Sequence, residues 1–487
     1  MANNNSQSFV RGLSSQTLIS LTLGVLDIIS FSIMSRLLTE RDFGYFAAIV
    51  AVASIFSALA DAGVGSAIVH KKNINNEYIN NAFTICFIIG IIVTGILFIS
   101  ADLLANLFVD SSMALPLRFF SVSIFFQCLT SVNLSILQKK YQFFKMGIAN
   151  IISLIITTIL AVVLALFGLG YYSIIAKVVF ASILTFVISK ILAKENYSFS
   201  INRVIFKQIV GYGGWLMLSA IFRNCAHQID RLLMPRLFSV DTLGTYTRPK
   251  EFMYSITQKI NGILDTVMFP HLSEIQDDTD KLKNAYLSAI YLFGLMGLLL
   301  NFFFIFNSKL LITIFFGEKW IYVDILFKIL SIYPIFLFWG RMGDIFLRSL
   351  GFTKYQFYLR ILQLITSLIA VILTYQLGIE IVSCAIIFSY ICVMIIKSVF
   401  IAIKIDVRIN DVLKSAIKSL RITSVYLPLM GLAEIVIPNT IIGYLLQLTC
   451  FLLISIIAFI FYPNLIGKEY ERIAYPLIQK VKLRIRL

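Results

Sequence analysis

Charge is what this chain has least of. Only 14% of its 487 residues are Asp, Glu, Lys or Arg, against about 25% in an ordinary soluble domain. Histidine, tryptophan and proline are also scarce, with 3, 3 and 9 copies. His70, His227 and His271 have no second histidine or cysteine at metal-ligand spacing. The 6 cysteines, Cys86, Cys128, Cys225, Cys384, Cys392 and Cys450, all sit in apolar runs and form no CxxC pair. They read as small core residues, not as a disulfide framework or a metal centre. No P-loop, GxSxG or HExxH stands anywhere, so ATP-driven transport by this chain alone has no support and no cofactor is expected. Long polar segments are missing too. With only short loops there is no room for a soluble catalytic domain, which argues against an enzyme.

What is present is apolar: 59% of the residues, with 14% aromatic. A spanning helix needs about 20 apolar residues, and on that measure the chain supplies about fourteen spans between residues 14 and 462. The runs are unbroken, whereas membrane-barrel strands alternate with period two. Backbone groups in hydrocarbon must bond within their own segment, so the spans are helices. The expected fold is all-α and polytopic. The opening MANNNSQSFVRG is followed by a long apolar run without a small-residue cleavage site, so it reads as uncleaved.

The net charge of +16 would suggest nucleic acid on a soluble protein. On so apolar a chain it sets orientation instead, and no nucleic-acid partner is expected. With the N-terminus inside, the short inner loops and tails hold 27 Lys and Arg, and the outer loops hold 8. That bias places both termini in the cytoplasm, with the basic tail from Lys468 to Arg486 lying on membrane lipids.

The chain also repeats. Arg36-Leu37-Leu38-Thr39 followed by Phe43-Gly44 returns 200 residues later as Arg236-Leu237-Phe238-Ser239 followed by Leu243-Gly244. Tyr141-Gln142-Phe143 returns as Tyr355-Gln356-Phe357. The copies are six spans apart, an even number, so both repeats keep one orientation. The expectation is two pseudo-symmetric six-helix bundles, residues 1–195 and 196–410, with a site between them. Two extra spans occupy 411–463 and a basic cytoplasmic tail 464–487.

A charge at mid-bilayer costs about 2.5–3.5 kcal/mol on insertion scales and usually faces a cavity. Arg223, His227 and Asp230 share one face of the seventh span, with Arg231 beside them. Gln258, Asn261 and Asp265 share a face of the eighth, next to Lys259, and Arg341, Asp344 and Arg348 share a face of the tenth. The repeat pairs Asp27 with His227 and Asp61 with Asn261. Arg and Lys in such a cavity suit phosphate or pyrophosphate, and amides and hydroxyls suit sugars. The candidate substrate residues are Arg223, Lys259, Arg341, Arg231, His227 and Asn261. Asp61, Asp27 and Asp230 are candidates for ion coupling, Asp61 foremost, beside the Gly63 and Gly65 helix end. The structural alternative is ion pairing among Arg223, Asp230 and Arg231, a local bond for Asp61, and snorkelling for Lys177 and Lys328.

Several segments together resemble a known family. They are Ser35-Arg36-Leu37-Leu38-Thr39 through Asp42-Phe43-Gly44-Tyr45-Phe46, and Asp61-Ala62-Gly63-Val64-Gly65-Ser66-Ala67. Gln138-Lys139-Lys140 with Phe143, the Gly244…Tyr246…Arg248 turn, and Pro270…Ser273 with Asp277-Asp278 complete the set. The chain is similar to the polysaccharide-repeat flippases (O-antigen, capsule, exopolysaccharide) of the multidrug/oligosaccharidyl-lipid/polysaccharide exporter superfamily. The second half departs at Val240-Asp241-Thr242, where the acidic residue shifts by one. The resemblance implies an alternating-access transporter in the bacterial plasma membrane. Its substrate would be an undecaprenyl-diphosphate-linked oligosaccharide, with polymerase and chain-length proteins of the same pathway as further candidate partners. The rival readings are a drug or metabolite exporter of the same superfamily, and a membrane-embedded polysaccharide polymerase or glycosyltransferase.

Overall fold

The computed structural model describes residues 2–61, 64–71, 74–140 and 142–424. The expected final span, the tail 464–487 and Cys450 lie outside the described residues, as does the expected thirteenth span beyond residue 424. Among the described residues there is no strand. The helices are α1 (Ala2–Leu37), α2 (Glu40–Asp61), α3 (Val64–His70), α4 (Asn76–Phe108), α5 (Ala114–Lys139), α6 (Phe143–Leu166), α7 (Tyr171–Ala193) and α8 (Arg203–Leu237). There follow α9 (Val240–Glu274), α10 (Thr279–Phe306), α11 (Ser308–Leu311), α12 (Asp324–Leu330), α13 (Tyr333–Ser349), α14 (Thr353–Thr374), α15 (Ile379–Lys404) and α16 (Ile409–Ser424). Ten segments among the described residues are long and apolar enough to cross a membrane. Helices α8 and α9 stand outside that count. At 35 residues each they run about 52 Å at about 1.5 Å per residue, and they carry much of the chain's buried charge.

The offset of 200 returns as geometry. Helix α1 ends at Leu37 and α8 at Leu237; α2 begins at Glu40 and α9 at Val240. At the first turn Thr39 donates its backbone N–H and its hydroxyl to Asp42 Oδ2, at 2.9 and 2.7 Å, and Asp42 N–H donates back to Thr39 Oγ1. At the second, Thr242 N–H donates to Ser239 Oγ at 3.1 Å. Both are side-chain caps of an otherwise unsatisfied helix start. Thr242 holds the place of Asp42, which explains why the acidic residue could shift by one. Asp42 has a second task, accepting Tyr171 N–H at 2.8 Å where α7 begins. The two turns meet. A Cβ on Gly44 would overlap the Val240 carbonyl, and one on Gly244 would overlap the Glu40 carbonyl. Glycine at both positions is what allows the backbones to touch.

The helices divide into two compact units. The first draws on Met1–Ile263, Phe315–Lys319 and Lys354–Tyr390, and the second on Leu264–Ile314, Trp320–Thr353 and the described part of Ile391–Leu487. In the first unit α5 packs on α4 and α7, α6 on α1 and α7, and α2 on α8. In the second, α10 packs on α13 and α16. The exposed faces of α4 and α6 are apolar, Ile92, Ile96, Ile99 and Leu103 on α4 and Ile155, Ile159 and Leu166 on α6, as a lipid-facing surface requires.

Candidate substrate site

Helix α8 carries a ladder of polar side chains, and α9 answers it. Asp230 is 2% exposed. Its carboxylate accepts the Tyr246 hydroxyl at 2.6 Å, the Arg231 N–H at 2.9 Å and the Lys250 ammonium. Lys250 also lies 3.1 Å from the Tyr246 oxygen. At the next residue of each helix, Arg231 reaches Glu251 at 3.2 Å. Arg248 donates from Nε to Ser35 Oγ at 3.0 Å and from Nη2 to the Phe31 carbonyl at 2.7 Å, sandwiched against the Phe31 and Phe43 rings. Arg248 and Lys250 fall among the outer-loop residues in the sequence reading. In the structure α9 starts ten residues before the expected span, and both cations are buried by carboxylate, carbonyl and ring partners.

Further along, Lys259 of α9 forms a 2.9 Å ion pair with Asp27 of α1, and each side chain keeps about 40% of its exposure. A proposed phosphate ligand and a proposed ion-coupling carboxylate are thus partners, and either can be released without unburying the other. Lys177 of α7 lies within the electrostatic reach of Asp27 and donates to Ser30 Oγ; it turns inward instead of snorkelling. Lys328 pairs with Asp324 at 2.8 Å.

Arg223 is solvent-exposed and lines a cavity of about 300 Å³ together with Ser57, Gln127 and Asn224. Asn224 is anchored to the Ser54 carbonyl at 2.9 Å. His227 sits between the Tyr254 and Tyr390 rings, its Nδ1 3.5 Å from the Tyr390 hydroxyl. The charges acting on it include Arg360, Lys250, Arg223 and Asp230. Arg360, on α14, is a site residue that sequence reasoning missed, because its position reads as an inner loop. Asn261 is 1% exposed, and neither atom of its amide has a hydrogen-bond partner among the described residues. Asp61 closes α2, and its side chain lies outside the described part of the structure, as does that of Asp265. Around these cavities and buried pairs the first unit places seven cations (Arg223, Arg231, Arg248, Lys250, Lys259, Arg360, Lys177) against three carboxylates with described side chains (Asp27, Asp230, Glu251), with Asp61 as a fourth carboxylate in the same unit.

Arg341 belongs to the second unit, half-buried on α13. One turn on, Asp344 holds the Lys397 ammonium of α15 at 2.7 Å, with both side chains under 10% exposed. Lys397 also donates to the Gly340 carbonyl at 3.1 Å. Its stem fills the space over Gly343, where a Cβ would overlap it.

The described residues thus form a multi-pass helical protein with several cations buried or half-buried among its helices. The sequence profile of the polysaccharide biosynthesis protein family matches residues 33–324, and the chain belongs to that family. It is 21% identical over 301 residues to the lipopolysaccharide biosynthesis protein WzxC of Escherichia coli (strain K12), covering 61% of this chain and 60% of that protein. It is 24% identical over 310 residues to the succinoglycan biosynthesis transport protein ExoT of Rhizobium meliloti (strain 1021), again 61% and 60%. The chain thus spans about 60% of the length of these curated relatives. Among solved structures, the lipid II flippase MurJ in its inward closed conformation shares the fold, with a TM-score of 0.68 at 18% identity over 93% of this chain and 99% of that one. An inward-facing multidrug resistance MATE family transporter gives 0.62 at 17% identity, over 80% and 98%.

Proposed function

We propose that this protein carries undecaprenyl-diphosphate-linked oligosaccharide repeat units from the inner to the outer leaflet of a bacterial plasma membrane, for surface polysaccharide assembly, by alternating access. The observation that carries the reading is the excess of cations over carboxylates inside the first unit. Membrane-embedded charges are costly and cluster where an ionic substrate passes. A diphosphate is an anion whose oxygens match the planar fork of Arg223 and Arg360 and the ammonium of Lys259. The names of the relatives, which speak of lipopolysaccharide biosynthesis and succinoglycan transport, support the same substrate class. Both termini lie in the cytoplasm, on the strength of the Lys and Arg asymmetry. Polymerase and chain-length proteins of the pathway are the expected partners downstream.

The chemistry required is binding and release, with no bond made or broken. The outward passage of negative charge is favoured by a potential negative inside, by about 2.3 kcal/mol per charge per 100 mV. The cationic interior offsets that charge, so Lys259 must let go of either Asp27 or the diphosphate at each turn of the cycle. The test is a deletion strain. Loss of the carrier leaves intact single repeats accumulating on the inside, and no polysaccharide on the surface. Single repeats displayed on the surface would overturn the reading, because they are the signature of a lost polymerase.

A further inference from the structure

A second cavity, of about 520 Å³, lies inside the first unit among α1, α5, α6 and α7. That is within the usual range of small-molecule sites, about 300–1,000 Å³. Its wall meets that of the Arg223 cavity at one residue, Gln127, which lines both. The chemistry of the two differs. Of the fifteen residues lining the larger cavity, eight carry a neutral hydroxyl or carboxamide. Thr130, Ser131, Ser153, Thr157 and Ser182 donate their hydroxyls to backbone carbonyls, which leaves oxygen lone pairs to accept. Asn150 has no hydrogen-bond partner among the described residues and offers both a donor and an acceptor. Such a lining matches a molecule covered in hydroxyls.

Two charged groups stand in that wall, Asp27 and Lys177, and the second does not fit a neutral ligand. Lys177 lines the cavity and hydrogen-bonds Ser30, yet no carboxylate stands within ion-pairing distance of its ammonium among the described residues. Asp27, whose charge reaches it, is engaged by Lys259. With Asp27 committed to Lys259, half-buried Lys177 has no carboxylate in contact, and charges inside a protein are ordinarily paired. A ligand carboxylate would supply the missing partner through a charge-assisted hydrogen bond.

We infer that this cavity is the subsite for the sugar head of the transported lipid, and that it selects a sugar bearing a carboxylate, which Lys177 binds. The inference rests on the proposed transport function and deepens it. The diphosphate lies with Arg223 on one side of Gln127, and the acidic sugar lies with Lys177 on the other.

The test uses the full-length protein in lipid nanodiscs and two synthetic probes. Both are a polyprenyl-diphosphate-linked disaccharide; one ends in glucuronic acid and the other in glucose. Thermophoresis reads the two dissociation constants. The acid-ended probe binds the unaltered protein about tenfold more tightly, the size of one charge-assisted hydrogen bond. Lys177→Met brings the two affinities together, and Lys177→Arg keeps the preference. Equal binding of both probes by the unaltered protein overturns the inference without any variant, as does a preference that survives Lys177→Met. Binding of neither probe overturns the transport reading itself, and the inference with it.

Discussion

The Asp230–Lys250 pair invites a double-substitution experiment. Asp230 is 2% exposed, Lys250 4% and Tyr246 1%, so none of the three can turn to water when a partner is removed. Lys250→Met takes from the Asp230 carboxylate its ammonium partner and leaves it the Tyr246 hydroxyl and the Arg231 N–H; Asp230→Leu takes from the Lys250 ammonium its contacting carboxylate. Removing one partner of a buried pair costs about 3–5 kcal/mol, and an apolar pair of similar volume is often neutral. The double variant loses only the partner of the Tyr246 hydroxyl, about 1–3 kcal/mol. The sum of the single effects therefore exceeds the double effect by several kcal/mol. Thermal unfolding of full-length protein in detergent, followed by fluorescence-detected size exclusion, reads all four forms. Both single variants should melt well below the parent, with the double variant recovering much of the loss. If each single variant melted like the parent yet made no surface polysaccharide, the pair would not be a brace, and Asp230 would return as an ion-coupling group.

Lys259 and Asp27 should behave in the opposite way. Their pair is about 40% exposed and contributes about 0–1 kcal/mol to stability, so Lys259→Ala leaves protein abundance near normal on an immunoblot while surface polysaccharide falls; glycan loss that simply tracks protein loss refutes the assignment. Gly44→Ala and Gly244→Ala push a methyl into the facing carbonyl and should each lower stability by about 1–3 kcal/mol, an overpacking cost; unchanged melting would mean that the two turns do not touch in the membrane. Reporter fusions after Lys194 and after Arg408 should report cytoplasm, and fusions near Asp110 and Lys319 the outside. A cytoplasmic signal at Lys319 breaks the proposed topology.

Much of the architecture is readable because the bilayer narrows the choices. Apolar runs must be helices, and the turns at Thr39 and Ser239 announce themselves by caps and glycines at a fixed offset. The partners of the buried charges are another matter. Asp230 meets Lys250 from 20 residues away, Lys259 meets Asp27 from 232 away, and Lys397 meets Asp344 from 53 away. Helical periodicity shows which residues share a face, but not which face of another helix opposes it. Charge counting also misleads where a helix outruns its apolar core. Arg248 and Lys250 look like loop cations because the residues around them are polar, yet Phe31, Phe43, Tyr246 and Asp230 bury them. The Tyr246 to Lys250 spacing of one helical turn is the signal that could have placed them inside.

The proposed passage of a diphosphate-linked glycan through a cationic interior is open to direct measurement. Purified protein in liposomes, supplied with a fluorescent undecaprenyl-diphosphate-linked oligosaccharide in one leaflet, measures this directly through the rate at which an external quencher gains access to the label. Transfer should be far faster than in protein-free liposomes, and slowed by Arg223→Ala in protein of unchanged thermal stability. A transfer rate equal to that of protein-free liposomes, or an Arg223→Ala protein as fast as the parent, would contradict it.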